Sequence, residues 1–267
     1  MRFSEPAPAK LNLALHVRGK LPDGRHALET IFAFCVDGDR VEVEEGDGLA
    51  LTLTGPFAGS VGRDDDNLVL RAARKLAEAS GTEAGAELRL TKNLPVASGI
   101  GGGSADAAAT LRLLTRFWKI DPSYAASVAP GLGSDVPACL LSLAARGEGA
   151  GDQLELVDLG LDETPVLLVN PLVALSTAEV FAGWDGMDGG PLTEWREGRN
   201  DLERPARALV PEIGDVLTWL ASRDGAEVVR MSGSGATCFG LFESEEARDR
   251  AAAACPSNWW HLATVLR

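Results

Sequence analysis

The sequence predicts an α+β protein built from two domains, and three observations lead there. Strand-like and helix-like segments follow one another without a regular βαβ alternation, which favours mixed sheets over a doubly wound parallel sheet. A glycine-rich loop, Pro95-Val-Ala-Ser-Gly-Ile-Gly-Gly-Gly-Ser104, feeds directly into an Ala/Leu-rich run. A second group of strands and helices begins at Val166-Leu-Leu-Val-Asn170 and carries its own small-residue loop, Ser232-Gly-Ser-Gly-Ala236. With 267 residues either one large or two smaller cores can form. The expected boundary lies near residue 155, giving domains over 1–155 and 156–267.

The elements follow from local pattern. From Leu11 the opening alternates apolar and polar positions and reads as a strand, ended by the turn signal Pro22-Asp-Gly-Arg25. Ile31 to Val36 and Arg40 to Glu44 read as two further strands, with Val36-Asp-Gly-Asp39 as a hairpin connection. Leu49 to Thr54 alternates again, a helix is expected from about Asn67 to Ala77, and Glu87 to Thr91 is a strand leading into the glycine loop. Beyond the loop come a helix over Ala107 to Trp118, a short helix around Tyr124 to Val128, and a turn, Gly131-Leu-Gly-Ser-Asp-Val-Pro137, into another apolar segment. In the second half, residues 183–198 read as a glycine-rich, weakly ordered stretch. Ile213 to Ser222 and Glu245 to Ala254 read as helices, and Val228 to Met231 and Cys238 to Phe242 as strands.

Composition excludes several classes of function. The net charge is −14, from 39 acidic and 25 basic residues. Binding of nucleic acid through its phosphates, which needs clustered Lys and Arg, is therefore not expected. A small phosphorylated ligand remains compatible, because a few backbone amides and one lysine suffice for it. Cys35, Cys139, Cys238 and Cys255 show no Cys-x-x-Cys spacing, and Met1-Arg-Phe-Ser4 shows no signal-peptide pattern. The cysteines are expected to be reduced and the protein cytoplasmic. His16, His26 and His261 lack metal-ligand spacing, so no protein-built zinc site is expected. No apolar run is long enough to span a bilayer.

The glycine loop carries the chemistry. Glycines bring backbone close to an anion and take positive φ, while free amides and the dipole at a helix start favour phosphate. Asp106 suits a first helical turn. The loop reads as a nucleotide-phosphate cradle, although neither the Gly-Lys-Ser/Thr closure of a P-loop nor strict dinucleotide spacing is present. Three further features stand beside it. Lys10 in Pro8-Ala-Lys-Leu-Asn12 is either a solvated lysine at a strand start or part of a site. Asp135 in Gly133-Ser-Asp-Val-Pro137 is either a turn or cap residue or a catalytic carboxylate. Met231-Ser-Gly-Ser-Gly-Ala-Thr-Cys-Phe239 is either a tight hairpin or a second ligand loop.

In combination these segments resemble the GHMP kinase superfamily. The narrower pattern matches its branch that phosphorylates a cytidylylated methylerythritol in the non-mevalonate isoprenoid pathway. The residues behind it are Pro8-Ala-Lys-Leu-Asn-Leu13, Asp23-Gly-Arg-His26, Asp66-Asn-Leu-Val-Leu-Arg-Ala-Ala73, Asn93-Leu-Pro95, Leu132-Gly-Ser-Asp-Val-Pro137, Asn200-Asp-Leu-Glu203 and Met231 to Phe239. The resemblance implies a two-domain GHMP-kinase-like fold with the active site in the interdomain cleft, and transfer from ATP, with Mg²⁺, to the 2-hydroxyl. It makes Asp135 the general base and Lys10 its cationic neighbour. Pro95, Val96, Ala97, Ser98, Gly99, Ile100, Gly101, Gly102, Gly103, Ser104 and Ala105 would hold the phosphates, with Asn67 and Lys92 near the adenine. Asn12, His26, Arg25 and Phe181 would meet the cytidylylated substrate, His26 on the cytosine edge and Phe181 stacked on the base. One departure stands out: the branch usually has Tyr before that histidine, where this chain has Arg25. A guanidinium can also stack on a base. The implied partners are the small-molecule substrate and ATP, with no nucleic acid or membrane, and a monomer or weak homodimer. Two alternatives stay open: another small-alcohol kinase of this superfamily, homoserine- or mevalonate-like, and a non-catalytic nucleotide-binding relative.

Overall fold

The computed structural model describes residues 2–62, 67–83 and 85–267. Asp66, quoted above in a motif, lies outside the described residues. In chain order the elements are β1 (Phe3–Lys20), β2 (His26–Glu44), β3 (Leu49–Thr54), α1 (Leu68–Ser80), β4 (Ala86–Thr91), α2 (Gly102–Trp118), α3 (Pro122–Val128), α4 (Val136–Leu141), β5 (Ala145–Glu148), β6 (Gln153–Leu156), β7 (Pro165–Asn170), α5 (Thr177–Ala182), α6 (Glu203–Leu209), α7 (Glu212–Ala221), β8 (Ala226–Met231), β9 (Cys238–Phe242), α8 (Glu245–Ala253) and β10 (Trp260–Val265). They form two compact units that interleave in sequence. The first holds residues up to Ala9, Asp37–Val96 and Gly101–Ser142; the second holds Lys10–Val36, Ala97–Ile100 and Leu143–Arg267. A single linear cut near residue 155 follows a different partition, because β1, β2 and the glycine loop each give residues to both units.

In the first unit β4 pairs antiparallel with the end of β2 and parallel with β3. Its residues alternate, so Leu88 and Leu90 point inward. Helix α1 buries Val69, Leu70, Ala72, Ala73, Leu76 and Ala77, the stripe expected of a one-sided helix. Asn67 starts it by accepting from the Val69 amide, and Gly81 ends it in the left-handed region. Helix α2 is apolar nearly all round, with Ala105, Ala107, Ala108, Ala109, Leu111, Leu113 and Leu114 buried, and so forms the centre of this unit.

The second unit contains a four-stranded antiparallel sheet in the order β10–β7–β9–β8. Every residue of the inner strand β9 is buried, and Leu167, Val169, Val180, Leu202, Ile213, Val216, Leu220, Met231 and Phe242 share one core. The start of β2 pairs with β5, and β5 with β6.

Three sequence expectations are corrected. The hairpin over residues 36–39 does not form, since β2 runs through it without interruption. Gly38 serves another purpose: a Cβ there would collide with the Ala7 carbonyl of β1, so glycine permits the close approach. Helix α2 begins at Gly102 rather than near Ala107, which moves Asp106 from the first turn to the second. Residues 183–198 form no helix or strand, yet they are pinned. Leu192 is buried and its amide donates to Glu29 at 2.6 Å; Arg18 pairs with Asp188 at 2.9 Å; the Gly190 carbonyl lies 3.1 Å from His16 Nδ1. The Arg199 amide donates to the other ring nitrogen of His16, which assigns the proton to Nδ1. Burial, then the nearby Arg199, lowers the pKa of His16 and keeps it neutral.

Candidate active site

Lys10, Asn12, residues 97–100, Arg25, His26 and Phe181 belong to the second unit. There the strand segment carrying Lys10 meets two glycine loops through one hydrogen-bond network. Lys10 is 3% exposed; its ammonium donates to Asn12 Oδ1 at 2.7 Å and lies 5.4 Å from the centre of the Phe32 ring. A buried lysine so held is not the solvated surface residue that β-strand starts commonly carry. Asn12 Nδ2 donates to Thr30 Oγ1, which in turn donates to the Ala14 carbonyl. The Asn12 amide donates to Ser232 Oγ, and Ser232 donates to the Gly99 carbonyl at 3.1 Å.

The loop at residues 232–236 is therefore no simple hairpin tip but a partner of the glycine loop. A Cβ on Gly99, whose φ is +78°, would lie 2.5 Å from the Ser232 carbonyl oxygen and 2.6 Å from that of Gly235. A Cβ on Gly233 would lie 2.7 Å from the Gly99 carbonyl oxygen. Asn200 clamps this loop from the other side, donating to the carbonyls of Met231 at 2.7 Å and Gly233 at 2.8 Å. Thr30, Asn200 and Ser232 thus join the site as supports. Asn200 and Ser232 were visible only as motif letters, and Thr30 gave no signal in its own neighbourhood.

Residues 95–96 and 101–105, with Asn67, Lys92 and Asp135, belong to the first unit. Gly101 takes the left-handed conformation, φ +65°, as the residue before α2, and no side chain caps that helix. The first-turn amides therefore have no side-chain cap, the condition under which a helix start can take an anion. Gly103 is exposed and Ser104 half-buried, so a ligand can reach them. Lys92 is different: it is buried, with its ammonium 2.5 Å from Asp39 Oδ2 and 2.7 Å from Asp106 Oδ2. Burial opposes its charge, but the two carboxylates outweigh that and raise its pKa. Burial, with Asp39 adding repulsion, pushes Asp106 up to about 7 against the pull of Lys92. Asn67 is also engaged, accepting from Val69 and donating to the Gly62 carbonyl at 2.8 Å.

Asp135 is the residue before α4 and does not cap it, so the capping explanation of this carboxylate fails. It is half-buried. Among the described residues no group of three His, Cys, Asp or Glu side chains is placed to hold a metal. Mg²⁺ commonly takes one or two protein ligands beside phosphates and water, a requirement that the half-buried hydroxyl of Ser104, on the first turn of α2, fits.

His26, at the start of β2, stacks on Phe181 of α5 with centroids 4.7 Å apart, and Trp184 meets its edge at 5.6 Å. Burial, then Lys20, lowers the His26 pKa, giving a neutral ring with one donor and one acceptor. Trp184 was not among the sequence candidates. Arg25 is exposed and pairs with Asp23 at 2.8 Å and Asp152 at 3.1 Å.

Comparison with known proteins matches this architecture. The GHMP kinase N-terminal domain covers residues 67–143, and the GHMP kinase C-terminal domain residues 190–261. A 4-diphosphocytidyl-2-C-methyl-D-erythritol kinase of Rhizorhabdus wittichii is 52% identical across 100% of this chain and 96% of its own length. One from Novosphingobium aromaticivorans is 46% identical across 100% and 94%. A crystallised 4-(cytidine 5′-diphospho)-2C-methyl-D-erythritol kinase superposes with a TM-score of 0.86 at 33% identity, covering 100% of this chain and 99% of that one. A homoserine kinase from Cytophaga hutchinsonii, at 19% identity and a TM-score of 0.74 over 99% and 95% of the two chains, shares the fold. Kinase-type loop, buried lysine and two matched domains agree, and the chain belongs to the GHMP kinases, within them to the 4-diphosphocytidyl-2-C-methyl-D-erythritol kinase family.

Proposed function

We propose that the protein transfers the γ-phosphoryl group of ATP to the 2-hydroxyl of 4-diphosphocytidyl-2-C-methyl-D-erythritol. What carries the reading is full-length identity of 46–52% to kinases of that name. The likeness to homoserine kinase, at 19% identity, speaks for the fold alone. The His26–Phe181 pair suits a pyrimidine, offering hydrogen bonds to its edge and an aromatic face.

In this reading the amides of residues 101–104 cradle the ATP phosphates, and the hydroxyl of Ser104 helps hold Mg²⁺, which would neutralise charge on the transferring group. Asp135 accepts the hydroxyl proton. A carboxylate is a weak base for an alcohol, so the proton moves late, once the forming O–P bond has acidified it. Lys10, steadied by Asn12, supplies fixed positive charge to the reacting groups. Arg25, tied to Asp23 and Asp152, orders the turn before His26 and offers its exposed plane to the base. Cys35, Cys139 and Cys238 are buried, none of the four cysteines is in a disulfide, and no described helix is long and apolar enough to cross a membrane. The test is ADP release with ATP and Mg²⁺, comparing the cytidylylated acceptor with methylerythritol, homoserine and mevalonate. Turnover confined to the first supports the proposal; equal turnover on a plain alcohol refutes it.

A further inference from the structure

The buried triad of Lys92, Asp39 and Asp106 holds both ends of the glycine loop. Its side chains are 3%, 0% and 5% exposed, and they come from the exit of β4, from β2 and from the second turn of α2. At the loop's entrance, Asp39 Oδ1 accepts from the amides of Asn93 at 2.5 Å and Leu94 at 2.8 Å. At its exit, the Lys92 ammonium holds Asp106, and a Cβ on Gly102 would lie 3.1 Å from Nζ and 3.7 Å from Asp39 Oδ2. The first residue of α2 therefore rests on the ammonium, and glycine there allows it. Asp106 Oδ1 is buried and has no partner among the described residues, so only its other oxygen ties the helix to Lys92. Ion pairs and charge-assisted hydrogen bonds this dry are stiff and directional.

We propose that this triad positions the phosphate-binding amides of α2, and that Lys92 acts on nucleotide only through them, not by touching its base. The proposal rests on the kinase reading of the loop. It makes a distinction that base recognition would not: a ligand of phosphate alone must feel the triad as strongly as ATP does.

The experiment measures dissociation constants of ATP and of inorganic tripolyphosphate, both with Mg²⁺, together with the KM of the acceptor. The variants are Lys92→Met, Asp106→Ala and Asp106→Asn. Lys92→Met leaves two carboxylates without their cation and can fail to fold. Asp106→Ala leaves Lys92 balanced by Asp39 and carries the comparison by itself. Asp106→Ala is expected to weaken ATP and tripolyphosphate by the same factor, tenfold or more, with the acceptor KM within twofold. Asp106→Asn, which keeps an oxygen for Nζ, is expected to restore both to within threefold of the parent. A loss confined to ATP in the Lys92 variant would make Lys92 a base contact and overturn the proposal. Unchanged binding of both ligands, or a loss shared with the acceptor, would overturn it as well. If the parent itself bound neither ligand, the kinase reading would fall and the proposal with it, whereas a binding parent with indifferent variants sinks the triad's role alone.

Discussion

Replacing Gly99 with alanine tests how tightly the two glycine loops of the second unit are joined. Two penalties can be worked from the structure. At φ +78° an alanine is strained, which costs about 1–2 kcal/mol for a left-handed residue. Its Cβ would also sit 2.5 Å from the Ser232 carbonyl oxygen, 2.6 Å from that of Gly235 and 2.8 Å from the Gly235 amide nitrogen. All three are backbone atoms, so relief requires moving a loop that Asn200 holds through two carbonyls, and overpacking of this kind costs roughly 1–3 kcal/mol. The sum, about 2–5 kcal/mol, corresponds to a melting temperature lower by roughly 4–20 °C for a protein of this size. Circular dichroism through a thermal ramp reads the stability, and steady-state kinetics gives the KM for ATP. Gly103→Ala is the control. Gly103 is helical, and its added Cβ meets only Leu68 Cδ1, at 3.7 Å. Helix propensity should then stabilise this variant by up to about 1 kcal/mol, while the KM for ATP rises because a methyl group intrudes where phosphate approaches the backbone. A Gly99→Ala protein melting within about 2 °C of the parent, half a kcal/mol or so on this scale, would refute the interlocking of the loops.

Three other outcomes are expected. Asp135→Asn should lower kcat by roughly a hundredfold to ten-thousandfold while ATP affinity, read by titration calorimetry, stays within twofold, since the lost base acts in the transition state. Phe181→Leu should raise the KM of the cytidylylated acceptor about fivefold or more, in line with the ~1–3 kcal/mol of base–aromatic stacking, and leave the KM of ATP unchanged. Asp106 goes from 3.8 in the unfolded chain to about 7 when folded, so the folded protein binds the extra proton. That stabilisation is complete below the lower value and is lost as pH rises through the higher one. Urea midpoints should accordingly show wild type losing ground to Asp106→Asn between pH 4 and 8, and a difference that does not change with pH would refute it.

Much of the site was legible because its signals are local. Gly99, Gly101 and Gly102 read as a loop that must bring backbone close to something, and each is where a side chain would be strained or obstructed. The stripe of α1 gave that helix to within a few residues, because a one-sided core imposes its period on the sequence, whereas β1 begins at Phe3, well before Leu11, and is buried on both faces from Ala7 to Val17. What a local pattern shows, though, is that a residue is special and not what makes it so. Val36-Asp-Gly-Asp39 has the composition of a turn, yet its glycine answers to the Ala7 carbonyl and its aspartate to Lys92.

The same limit explains why the charged candidates were harder to place than the glycines. A glycine's conformational freedom is intrinsic, so the letter marks where positive φ costs little, as Gly99 and Gly101 use it. The role of a lysine depends on which carboxylates the fold delivers to it. Lys10 and Lys92 look alike in sequence, each with an asparagine within two residues, and both are buried. Lys10 donates to a neutral amide, Asn12 Oδ1, which helps fix its position. Lys92 meets two carboxylates, one of which already balances its charge, an arrangement suited to fastening backbone. Nothing within a few residues of either lysine announces that difference. Asp39 and Asp106, which β2 and α2 bring to Lys92 from 53 and 14 residues away, make its surroundings, so the proposed division between a lysine for chemistry and one for geometry depends on tertiary contacts that no local pattern shows.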